Sequence, residues 1–193
     1  FQSSNQSNLS LGDNPGVLSF DYRDPATGLN VHKSFQFQPK GQPYVINFEA
    51  TIDVAGTAKP VTVELGPSVG LGYNEQGSRY GYPNQAVLSR AGKVERPKTT
   101  DLTAAPSYDG PFKFAGVGDH YFLSAALPGD KSVKVSYSPI QLPVPWTDPE
   151  NRKRDFIGYS VASPSGASLP FYFGPKEFDT LKAVDVALVR TID

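Results

Sequence analysis

The chain has 193 residues, with 18 Lys and Arg against 19 Asp and Glu, so it lacks the basic surplus with which a nucleic-acid binder neutralises phosphates. It contains no cysteine, which excludes disulfides, thiolate nucleophiles and cysteine-ligated zinc, and no apolar run approaches the ~20 residues of a membrane-spanning helix. Eighteen glycines, 18 prolines and 12% aromatic residues favour strands and turns over long helices.

The length suits one domain, 1–193. Residues 1–15, rich in Ser, Asn and Gln, read as a flexible lead. The chain opens on Phe1 without a secretory signal, so it reads as a fragment or a processed product. From residue 16 the rhythm has period two. Leu18, Phe20 and Tyr22 alternate with polar neighbours, "RDPATG" (23–28) supplies a turn, and Leu29, Val31, Phe35 and Phe37 return as the second strand of a hairpin. Tyr44, Ile46, Phe48, Ala50, Ile52 and Val54 mark a long third strand. "AGTAKP" (55–60) turns again, and Val61, Val63 and Leu65 continue the antiparallel meander.

Residues 66–110 are less regular, with "QAVLSRAGKVE" as a short hairpin between glycine- and proline-rich stretches. Strand patterns resume at 112–128 and 131–140, then at "RDFIGYSVAS" and "SLPFYF". The spacing predicts an amphipathic helix over 174–193. Gly174 stands at the cap, Pro175 at the first helical position, and Glu177 and Asp179 near the positive dipole end, with Arg190 near the other. Phe178, Leu181, Val184 and Leu188 form its apolar stripe, predicted to lie on the sheet. Lys176, Asp179 and Lys182 face solvent or a partner.

Catalytic chemistry is sparse. His32 falls on the polar side of its strand, and His120 adjoins Asp119 in a strand-like run that would point the two side chains apart. "GVG" (116–118) lacks the third glycine of a dinucleotide loop. "RKR" (152–154) reads as a solvated strand start or a basic patch facing lipid headgroups. Tyr73, Tyr80 and Tyr82 cover a core edge or stack on a sugar. No catalytic, cofactor-binding or metal-binding residue is predicted, and no cofactor.

"GVGDHYFLSAALPGD", "VKVSYSPI" and "FYFGPKEFDTLKAV" together resemble the periplasmic domain of the YidC-type membrane-protein insertases. The Gly-Pro-Lys-Glu-aromatic-Asp-x-Leu pattern at Gly174 to Leu181 is the most specific element. The likeness is carried by 112–193 and by the rhythm of 16–70, not by 71–111. It implies a mainly β fold, an antiparallel β-supersandwich of galactose mutarotase-like shape with a C-terminal amphipathic helix. The family's opening strands, ahead of the counterpart of Gly16, are missing or shortened here.

The resemblance further implies a non-enzymatic, monomeric domain at the periplasmic face of the bacterial inner membrane. Its partners would be Sec translocon components and nascent membrane proteins. Gly174, Pro175, Phe178, Leu181, Val184 and Leu188 would form a coupling helix towards a membrane part from which the chain has been cut. The alternative is a sugar-binding or mutarotase-like carbohydrate-active domain, which needs a His acid and a carboxylate base facing one cleft.

Overall fold

The computed structural model describes residues 1–4, 8–66, 84–143, 153–164 and 166–192. In chain order the strands are β1 (Gln2–Ser3), β2 (Gly16–Asp24), β3 (Leu29–Phe37), β4 (Val45–Val54), β5 (Thr57–Lys59), β6 (Val61–Leu65), β7 (Gln85–Arg90) and β8 (Lys93–Glu95). A single helical turn, α1 (Thr99–Leu102), precedes β9 (Ser107–Pro111), β10 (Phe114–Gly118), β11 (Phe122–Ala126), β12 (Ser132–Pro143), β13 (Lys153–Ser163) and β14 (Ala167–Pro175). The chain closes with α2 (Phe178–Val184) and a 3-10 helix, Val186–Thr191.

These strands form two antiparallel sheets, as the supersandwich expectation requires. The larger, of ten strands, runs β1-β2-β3-β4-β14-β11-β10-β7-β8, with β5 folded onto β4; the smaller runs β6-β13-β12-β9. The predicted β2–β3 hairpin is present in full register from Asp24↔Leu29 to Gly16↔Phe37. Its turn is closed by the Asp24 carboxylate, which accepts from the Ala26 N–H at 3.0 Å and the Thr27 hydroxyl at 2.7 Å. Those bonds favour the charged form and hold Asp24 below its ordinary range.

Three sequence expectations change. Gln2–Ser3 of the lead pair with β2, opposite Asp21 and Phe20. β6 does not continue the meander; it pairs with β13 in the other sheet. Pro60, which separates β5 from β6, has no N–H to donate to a ladder and marks the crossing. The run 112–128 divides into the antiparallel pair β10 and β11, turning at 119–121.

The core lies in two shells. Leu88, Phe112, Val117, Val135, Tyr137, Ile157 and Phe171 fill the space between the sheets. Val87, Phe114, Leu123, Ala125 and Tyr172 project from the other face of the large sheet and pack with Leu181 and Leu188 of the C-terminal segment. The layers are therefore small sheet, large sheet and helical segment. β10 is buried along its whole length because it is covered on both faces, and alternation disappears there. At its centre a Cβ on Gly116 would lie 2.6 Å from the Ala125 Cα, so only glycine fits.

Candidate functional site

The candidate site is the junction where β14 leaves the sheet and the C-terminal segment docks. Gly174 and Pro175 are the last residues of β14, opposite Leu123 and Phe122, and not the start of a helix. The ladder ends there, so the missing Pro175 N–H interrupts nothing. A Cβ on Gly174 would meet the Tyr172 hydroxyl and the Tyr44 ring, each at 2.7 Å. Glycine thus lets Tyr172 fold back and donate to the Pro175 carbonyl at 2.6 Å. Burial, then the neighbouring Tyr44 and Glu177, raise the Tyr172 phenol above its ordinary range.

The next residue locks the junction to a distant turn. The Lys176 N–H donates to the Tyr121 carbonyl at 2.7 Å, and its ammonium to the Asp119 carbonyl at 2.9 Å. Lys176, expected to face solvent or a partner, is half-buried with its ammonium on this carbonyl. The turn it grips is self-capped. The Asp119 carboxylate accepts from the Tyr121 and Phe122 N–H groups, both at 2.7 Å, and the Asp119 N–H donates to the Phe122 carbonyl.

Helical geometry begins only at Phe178, with Glu177 at the cap, and α2 ends at Val184. Asp185 is extended, and its carboxylate accepts from the Ala187 N–H at 2.7 Å to start the 3-10 helix. Leu181 and Leu188, on either side of this break, are both fully buried. Val184 packs half-buried against the same cluster. Phe178 departs from the predicted stripe and is 54% exposed, with the Lys182 ammonium 5.6 Å from its ring centroid.

The far end is tied as well. Arg190 donates to the Gly92 carbonyl at 2.6 Å, and Arg96 donates to the Arg190 carbonyl at 3.0 Å. The segment is thus held at both ends and along its buried stripe. Sequence reasoning found the stripe but missed Lys176, Asp119, Arg96 and Arg190 as partners. Two of the three stretches that carry the resemblance, those containing "GDHYF" and "FGPKEF", meet at this junction, but the acceptors of these bonds are backbone carbonyls, which residue identity does not mark.

The two histidines lie far apart in the sequence and on different elements. His32 Nδ1 lies 2.8 Å from the Asp21 carboxylate on an exposed strand surface. His120 lies in the 119–121 turn, its ring edge-on to Tyr121 at 4.6 Å, while the Asp119 carboxylate is engaged by backbone amides. Tyr73, Tyr80, Tyr82 and residue 152 of the basic patch lie outside the described residues. Among the described residues no three His, Asp or Glu side chains converge to hold a metal, and no helix is long and apolar enough to cross a membrane.

The sequence profile of the family described as the YidC periplasmic domain matches residues 1–193. The match takes in the lead and 71–111, where the likeness was not legible in the residues. A membrane protein insertase YidC of Geobacter metallireducens is 30% identical over 199 residues, covering 96% of this chain and 34% of that protein. The chain thus spans about a third of the length of the curated relative it matches.

Proposed function

The chain belongs to the YidC periplasmic domain family, and from that premise we propose that it is a non-enzymatic module of a membrane protein insertase, facing the periplasm at the bacterial inner membrane. It assists insertion and folding of inner-membrane proteins through contacts with nascent chains and Sec translocon components. Residues 1–193 act as one monomeric domain, and the segment from Gly174 onwards couples that domain to the membrane-embedded part.

One observation carries this reading. The segment 176–192 is pinned by Lys176 at one end and Arg190 at the other, with Leu181 and Leu188 buried between them. A segment held this way transmits position instead of acting as a loose tether, because its apolar contacts and both terminal hydrogen bonds must break together before it swings free.

The test is made in the full-length insertase. A flexible Gly/Ser insertion directly after Ile192 leaves the domain's packing intact and removes the rigid connection. Membrane insertion of a dependent substrate should fall, while matched surface substitutions on β2 and β3, such as Val17→Asp and His32→Asp, should leave it near the parental level. Unchanged insertion with the flexible linker, or loss only with the β2–β3 substitutions, would overturn the coupling role.

A further inference from the structure

Residues 178–191 carry apolar side chains at the spacing of one continuous helix, yet they fold as two short ones. In an unbroken helix of about 3.6 residues per turn, Asp185 would fall between Leu181 and Leu188 on one face. Both leucines are fully buried in the cluster behind the large sheet, so the Asp185 carboxylate would be carried towards that apolar cluster. Burying a charge there is costly, and Asp is a weak helix former because its side chain competes for nearby N–H groups.

The chain avoids this by breaking at Asp185. The Asp185 N–H completes α2 by donating to the Leu181 carbonyl at 2.9 Å, but its φ of −158° and ψ of 129° are extended. Its carboxylate accepts from the Ala187 N–H at 2.7 Å, and its carbonyl accepts from the Leu188 N–H at 3.0 Å. These two bonds start the 3-10 helix Val186–Thr191. Val186 is left 70% exposed, while Leu188 and Val189 join one cluster with Val87 of β7 and Val94 of β8. Arg190 then reaches the Gly92 carbonyl at 2.6 Å, in the turn between those two strands.

We propose that Asp185 is a positioning residue that sets where the chain leaves the domain. It holds residues 178–191 as two short helices seated on β7 and β8, and it excludes the single helix that their spacing otherwise allows. In that single helix, residues 185–191 would run about 10 Å further along the axis of α2, at about 1.5 Å per residue, instead of seating at Gly92 and Arg96. The consequence for insertion rests on the coupling role proposed above, whereas the choice between the two helical forms does not.

Three substitutions separate the cap from the helix. Asp185→Leu removes the cap and adds an apolar side chain to the stripe; Asp185→Ala removes the cap alone and carries the test if Leu disturbs packing. Asp185→Asn keeps a carbonyl oxygen that can accept from the Ala187 N–H. In the ¹³C,¹⁵N-labelled 193-residue chain, backbone shifts at 185–191 should become those of a continuous α-helix with Leu and with Ala. The Gly92 carbonyl resonance should move with them as Arg190 leaves it, and Asn should keep the parental values. In the full-length insertase, the Leu and Ala variants should lose insertion of a dependent substrate, and Asn should retain it. Unchanged shifts at 185–191 in both the Leu and Ala variants, or equal straightening with Asn, would overturn the proposal. Parental insertion by a straightened variant would overturn the positioning role. The Gly/Ser insertion after Ile192 then tells the two readings apart: impaired insertion keeps the coupling role without Asp185, and parental insertion removes both.

Discussion

The Lys176 ammonium and the Asp119 carbonyl, 57 residues apart in the chain, meet at 2.9 Å and fasten the end of β14 to the turn between β10 and β11. A charged donor on a backbone carbonyl contributes about 1.5–3 kcal/mol when part-buried. Lys176→Met should therefore destabilise the chain by about 1–2 kcal/mol, since the Lys176 N–H still holds Tyr121. Urea denaturation measures the shift, and an unchanged midpoint would show that the lock is not formed in solution.

Leu181 and Leu188 are fully buried and Phe178 is 54% exposed, although sequence spacing places all three on one stripe. Leu181→Ala and Leu188→Ala should each cost about 2–5 kcal/mol. Phe178→Ala should stay within about 0.5 kcal/mol, as an exposed substitution does. Thermal denaturation of the three variants ranks them. Equal effects would mean that the segment docks in another register.

Gly116 and Gly12 form a matched pair for a steric test. A Cβ on Gly116 meets the Ala125 backbone at 2.6 Å, whereas a Cβ on Gly12 meets nothing within 4 Å. Gly116→Ala should destabilise by about 1–3 kcal/mol or prevent folding, and Gly12→Ala should be close to neutral. Soluble yield and unfolding midpoint read both.

Alkaline stability follows from three buried phenols. Burial raises Tyr137, Tyr159 and Tyr172 above the ordinary tyrosine value, Tyr137 also through neighbouring Tyr159. The folded state holds these protons more tightly than the unfolded chain does. Their contribution is therefore complete below about pH 10 and is lost as pH rises through the folded-state values. Urea midpoints should fall from about pH 10 upward, together with growth of tyrosinate absorbance. Tyr172→Phe should flatten that fall. A midpoint independent of alkaline pH would contradict the burial of these hydroxyls.

The sequence made the β2–β3 hairpin legible because one face is buried and the turn carries its own cap at Asp24. The same logic failed at β10 and β11, where cover on both faces erases alternation and the 119–121 turn passed for strand. The apolar stripe gave Leu181 and Leu188, but the helix start was misplaced. Gly174 and Pro175 serve helix caps and strand ends equally well, and only the fold of Tyr172 over Gly174 distinguishes them. Lys176, Arg190 and Arg96 all donate to backbone carbonyls, and acceptors of that kind leave no trace in residue identity.

β14 sits between β4 and β11, with further strands beyond each, so the strand that leads into the C-terminal segment is interior to the sheet. A mechanical load applied at residue 192 would first have to peel away the segment held by Leu181 and Leu188 and fastened by Lys176. It would then act on β14 along two ladders at once, Phe122↔Pro175 to Ala126↔Phe171 on one side and Val45↔Tyr172 to Ala50↔Ala167 on the other. Bonds loaded side by side share the force, whereas an edge strand such as β8 opens one bond at a time. The fold thus anchors residue 192 through an interior strand that is paired on both sides.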